Sequence, residues 1–220
     1  MKKAFYKSIS EGKPLNINYN TLISQIQTIT GNSNLNVNVS RSITRLKSVF
    51  VSLSKTLPDA AVGTFTISRV THPATKEWNS FYSPMFNEFD TGLRETNPEG
   101  EFEMQLQIGS SLYPEYRIRS HAEAYYNIKK TLGIRSNVVH NFDIDGIEYR
   151  RDKFIIGIDT ERVLEAGFSG LSTRAGDLMT AMFKYNSEGA DQRRLADRMH
   201  IVLHADQNIE VHSHGVRVLY

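Results

Sequence analysis

The sequence predicts an all-β sandwich, on three observations. Apolar residues recur with a period of two along most of the chain, a single segment carries helical spacing, and strands and helices do not alternate as they would around a parallel sheet. Alternation of this kind marks a strand with one face in a core and the other in water. Of the 220 residues, 40% are hydrophobic and 23% charged, enough apolar material to fill the core of one large β domain.

The alternation is clearest in three places. Leu35, Val37 and Val39 alternate with Asn34, Asn36 and Asn38. Val49, Val51 and Leu53 share their segment with Ser48, Ser52 and Ser54, which are expected on a wet face. Phe102, Met104, Leu106 and Ile108 alternate with Glu103, Gln105 and Gln107. Further strands are expected over 61–69, 154–160, 177–185, 199–205 and 209–219, with a turn near Gln207 and Asn208 joining the last two. Residues 1–20 are polar and Asn-rich and read as an extended N-terminal arm, ordered only where something holds it. Residues 21–220 then form a single domain. Within it, the stretch 70–100 holds Pro73, Pro84, Pro98 and the one tryptophan, Trp78, with little periodicity. That is the pattern of a long loop that makes contacts.

One helix is predicted, at about 120–132. Ser120 is followed three positions later by Glu123, the reciprocal capping box in which each side chain satisfies a backbone donor of the other. Tyr125, Ile128 and Leu132 then recur at helical spacing, and Gly133 supplies a left-handed stop.

The search for chemistry is nearly empty. There is no cysteine, which removes disulfides, thiolate metal sites and cysteine nucleophiles together. The formal net charge is only +2, too small an excess to mark a dedicated nucleic-acid binder. No apolar run reaches the ~20 residues that span a bilayer, and the N-terminus lacks the apolar stretch of a signal peptide. Asp143, Asp145 and Gly146 open like a calcium loop, but Phe154 stands where the bidentate Glu belongs, so Asp145-Gly146 reads as a turn. Asp159, Glu161 and Glu165 read as a wet strand exit rather than a glycosidase pair.

Four of the seven histidines, His200, His204, His212 and His214, lie near the C-terminus. A turn at 207–208 would let them converge on a metal as in a cupin, but no later strand supplies the remaining ligands. They are read as solvated strand-face residues, and no cofactor is expected. The basic clusters Arg117/Arg119, Arg150/Arg151/Lys153 and Arg193/Arg194/Arg198 are interleaved with Glu115, Asp152, Asp191 and Asp197, so surface ion pairs are expected, with at most non-specific contact to DNA.

Longer strings carry a family resemblance. LYPEYRIRSHAEAYYNIKKTLG at 112–133, FIIGIDTERVLEAGFSGLSTRAGDLMTAMFKY at 154–185, DRMHIVLHADQNIEV at 197–211 and LNVNVSRSITRLKSVFVSLSK at 35–55 resemble the major capsid proteins of polinton-like viruses and related, virophage-like small DNA viruses. The resemblance implies a fold of two successive jelly rolls and trimeric capsomers in an icosahedral shell. It implies a virion location after assembly inside the host cell, and no catalytic residues. The present chain has room for one jelly roll of about eight strands, so a second jelly roll is an expected partner, beside other capsid subunits and penton or minor capsid proteins. Trp78, Phe81, Tyr82 and Phe86 in the long loop are the candidate intersubunit contacts. The same aromatics would serve the alternative, a jelly-roll module that binds a carbohydrate or receptor. A cupin-type metalloenzyme ranks below both.

Overall fold

In a computed structural model of the chain, the described residues are 12–29, 34–54, 81, 83, 102–133, 144–151, 153–160, 170–173, 178–185 and 196–219. They form nine strands and two helices. The strands are β1 (Leu15–Thr28), β2 (Asn34–Val39), β3 (Leu46–Ser54), β4 (Phe102–Ile108), β5 (Ser111–Ile118), β6 (Ile155–Asp159), β7 (Met179–Tyr185), β8 (Arg198–His212) and β9 (Gly215–Leu219). The helices are α1 (His121–Thr131) and, between α1 and β6, α2 (Gly146–Arg151).

Two antiparallel sheets result, in the orders β1-β8-β3-β6 and β2-β7-β4-β5, with β9 added to β8. Each consecutive strand from β1 to β4 lies in the sheet opposite its predecessor, and so does each from β5 to β8. Pairing the first strand with the eighth, the second with the seventh, the third with the sixth and the fourth with the fifth is the wrapping of a jelly roll. The predicted fold class therefore holds.

The period-two residues explain the core. Val49, Val51, Leu53, Ile156, Ile158, Met199, Ile201 and Leu203 from the first sheet face Leu35, Val37, Val39, Phe102, Met104, Leu106, Ala181 and Phe183 from the second, all buried. Each large aliphatic or aromatic side chain withdrawn from water contributes about 1.5–3 kcal/mol before the entropy of ordering it is counted. Phe102 stacks on Phe183 at 5.6 Å and meets Phe154 edge-on at 5.6 Å.

Helix α1 follows its sequence signals closely. The Ser120 hydroxyl accepts from the Glu123 amide at 3.1 Å, and the Glu123 carboxylate accepts from the Ser120 amide at 3.3 Å and the Arg119 amide at 2.6 Å. Gly133 takes φ +69° just beyond the C-cap Leu132, as the left-handed stop requires. The buried face is Ala124 and Ile128, supported by the half-buried Tyr125, whereas Leu132 is exposed. This face lies on β6 beside Gly157, whose missing side chain admits the helix.

Four local expectations need correction. No turn interrupts the chain at Gln207 and Asn208: β8 runs unbroken for 15 residues, and the turn falls at Ser213–His214 before β9. There β1 pairs with Gln207 and Asn208 along one edge, while on the other β3 ends opposite Ala205 and β9 begins opposite Asn208. Asp145-Gly146 is the start of α2, not a free turn: Asp145 Oδ1 accepts from the Glu148 amide at 2.6 Å, as an N-cap does. Ser48, Ser52 and Ser54 are buried rather than wet. Finally, Leu15–Asn20, read as part of an arm, are strand paired to Asp206–Val211 of the same chain. The strand expected at 61–69 lies outside the described residues.

Candidate interaction surfaces

The side chains that pointed to chemistry are dispersed along β8. His200 and His204 project from the outer face of the first sheet, opposite the core residues Met199, Ile201 and Leu203. They are half-buried and bonded rather than solvated: a His200 ring nitrogen lies 2.6 Å from Ser54 Oγ, and His204 Nδ1 lies 3.2 Å from Ser48 Oγ. These contacts give two of the three buried serines of β3 their partners. Burial, with Arg198 nearby, lowers the His200 pKa below its ordinary value.

His212 and His214 sit at the β8–β9 hairpin, about 40 Å along the strand from His200 at ~3.3 Å per residue. There His212 meets Glu210 at 3.4 Å and His214 meets Ser213. The unbroken strand therefore separates the two histidine pairs, and among the described residues no three metal-ligating side chains gather.

Of the four aromatics singled out in the long loop, Trp78, Tyr82 and Phe86 lie outside the described residues. Phe81 is half-buried against its own chain. Its ring meets that of His200 at 5.3 Å, and its carbonyl accepts from the Phe154 amide at 2.6 Å. Two residues on, the Ser83 amide donates to the Arg150 carbonyl at 2.9 Å, and Ser83 Oγ lies 2.7 Å from His121 Nε2. Phe81 and Ser83 are thus fastened to α1, to the α2–β6 junction and to β8.

Of the basic clusters, Arg117, Arg119 and Lys153 are ion-paired, though not always as their spacing suggested. Arg117 and Arg119 both reach Glu103 on β4, at 2.6 and 3.5 Å, rather than Glu115. Lys153 pairs with Glu148 at 3.1 Å. These are exposed pairs of small energetic weight. Arg193, Arg194, Glu161 and Glu165 lie outside the described residues. No helix among the described residues is long and apolar enough to cross a membrane.

The surface feature that period-two reasoning missed is β1 itself. It is an edge strand of 14 residues without a charge or a proline, and among the described residues no strand pairs with its outer edge. Leu22 and Ile26, 67% and 59% exposed, stand beside His204 and His200 on the outer face. Edges this long are usually blunted by charge, proline or cover. The uncharged run LNINYNTLISQIQT was the signal that could have identified it.

No family model and no curated protein sequence matches the chain. Solved structures do. The PBCV-1 virus capsid superposes over 99% of this chain at a TM-score of 0.53, and the Faustovirus major capsid protein over 94% at 0.54, each with 9% identity. The chain shares the jelly-roll fold of these capsid proteins. PBCV-1 VP54, solved and fitted into a reconstruction of the virophage Sputnik, gives 0.50 over 94%, again with 9% identity. The present chain spans 54%, 36% and 52% of those three chains, respectively.

Proposed function

We propose that this chain is a structural subunit of a viral capsid, one jelly roll that works beside a second and assembles into trimeric capsomers of an icosahedral shell. One observation carries the reading: nearly the whole chain superposes on capsid proteins whose chains are about two to three times as long. The residues support it by what they build. The period-two residues build the sandwich core, His200 and His204 are bonded to serines of β3, and a long uncharged strand is left at an edge. Such a subunit needs neither catalytic residue nor cofactor. Its partners are other capsid subunits, and its location is the virion.

The test is native mass spectrometry and electron microscopy of the purified chain at micromolar concentration, alone and co-expressed with a second jelly roll of the same source. Trimers or pseudo-hexagonal particles are expected in at least one condition. A strict monomer in both would overturn the reading and favour the binding module, which a glycan array would then probe.

A further inference from the structure

Beyond the sandwich, the first sheet continues as a three-stranded ribbon built from Leu15–Asn18 of β1, Asn208–His212 of β8 and β9. Register decides which side chains share a face, because directly opposed residues in antiparallel strands point the same way. Leu15, Val211 and Val216 make one row across the three strands, and Ile17, Ile209 and Val218 make the next. Six aliphatic side chains therefore share one face, with Ile17 44% and Val216 64% exposed. The opposite face carries Asn16, Asn18, Asn208, Glu210, His212 and Arg217.

The aliphatic face is not the fringe of the core. Tyr19 and Gln207 pair across β1 and β8 on the same side of the sheet, and the Tyr19 hydroxyl donates to the Gln207 side-chain oxygen. This polar bar separates Ile23, Leu203 and Ala205 from Ile17 and Ile209.

We infer that this ribbon face is a contact between copies of this chain, packed aliphatic face to aliphatic face about a two-fold axis. One feature selects a second copy as the occupant, and another fixes what the contact can do. The face carries no charge, so it meets its own image without opposing like charges, and a self-complementary patch is what an isologous contact requires. Its area is the second. Three strands ~4.8 Å apart and five residues at ~3.3 Å give roughly 240 Å² per copy, far below the ~800 Å² per partner of a stable interface. Such a contact does not hold two free subunits together. It acts when other contacts already gather copies, joining one assembled unit to the next by multivalency. The inference rests on the capsid reading and adds to it which surface makes the contact between capsomers.

The experiment replaces exposed positions, Val216→Asp and Ile17→Asp together, with Val216→Ile as the conservative control. Circular dichroism and melting temperature report the fold, native mass spectrometry reports the trimer, and light scattering with electron microscopy reports higher assembly. The double variant is expected to keep its fold and its trimer while the concentration needed for higher assembly rises at least tenfold, and Val216→Ile is expected to behave as wild type. Unchanged higher assembly in the double variant overturns the inference and leaves the capsid reading standing. Loss of the trimer in a folded variant also overturns it, placing the ribbon inside the capsomer. Binding of the wild-type ribbon to neutral phosphatidylcholine vesicles, lost in the double variant while assembly is kept, overturns it in favour of a lipid surface. A wild-type chain that never oligomerises refutes the capsid reading itself.

Discussion

Gly157 lies directly under Thr131: a Cβ built on Gly157 would stand 2.9 Å from Thr131 Oγ1 and 3.0 Å from the Ile128 Cα. Neither neighbour gives way easily. Thr131 Oγ1 donates to the Asn127 carbonyl at 2.7 Å, and the Ile128 atom is helix backbone. Gly157→Ala should therefore lift α1 from β6 and cost about 1–3 kcal/mol, the range for overpacking. Adding Thr131→Ala should recover only part of this, because the backbone contact persists. Urea unfolding of the single and double variants measures it; a Gly157→Ala protein as stable as wild type would show that the helix is not seated this closely.

The cap of α1 gives a second prediction. Removing the Ser120 hydroxyl leaves the Glu123 amide without its acceptor at 3.1 Å. Ser120→Ala should cost about 1 kcal/mol, as lost N-caps usually do, and Ser120→Asp should restore most of it. A change below about 0.2 kcal/mol on Ser120→Ala would mean that the helix start is held by Glu123 alone.

Acid sensitivity follows from His200. Burial, then Arg198, lowers its pKa in the folded state, so the unfolded chain binds the proton more readily. Its contribution to stability is therefore constant above the ordinary value of about 6.5 and falls as the pH drops from there toward the folded-state pKa. One such group changes stability by at most about 1.4 kcal/mol per pH unit. His200→Gln should flatten the wild-type slope between pH 6.5 and 5, measured by unfolding midpoints. Identical slopes in the two proteins would remove His200 as the cause. The same protonation bears on the loop, since His200 also holds the Phe81 ring and Ser54.

The parts of this fold legible in the sequence are those where one residue's chemistry decides the outcome locally. Leu35, Val37 and Val39 had to be a half-buried strand, and Ser120, Glu123 and Gly133 had to bound a helix. What escaped depended on partners distant in sequence. Gln207 and Asn208 look like turn residues, yet they stay extended because β1 pairs with them from nearly 190 positions away: Tyr19 lies opposite Gln207 and Asn18 opposite Asn208. Ser48 and Ser54 look solvated, and only the arrival of β8 gives them His204 and His200 as partners. The histidines read as exposed for the same reason. The amphipathic ribbon was invisible because its six aliphatic residues come from two distant segments, residues 15–17 and 209–218, aligned only by register.

The last prediction concerns the loop aromatics. Phe81 is engaged within its own chain, so of the four candidates it should matter for stability first: Phe81→Ala removes the ring beside His200 and should cost about 3 kcal/mol if it is as well packed as a typical core aromatic, less in proportion to its exposure. Trp78, Tyr82 and Phe86 are proposed as contacts to a neighbouring subunit, where buried aromatic anchors typically carry 2 kcal/mol or more each, about thirtyfold in affinity. Trp78→Ala should then weaken oligomerisation about thirtyfold while leaving the melting temperature of the dilute monomer unchanged. The two quantities separate the roles cleanly, because an anchor in the chain's own core would lower the melting temperature at every protein concentration, whereas an intersubunit anchor lowers it only where oligomers form. If Trp78→Ala lowers the monomer's melting temperature and leaves assembly intact, the loop serves its own domain and the subunit contacts lie elsewhere. If it instead abolishes binding on a glycan array with assembly unchanged, the loop is a carbohydrate site on a capsid-type jelly roll.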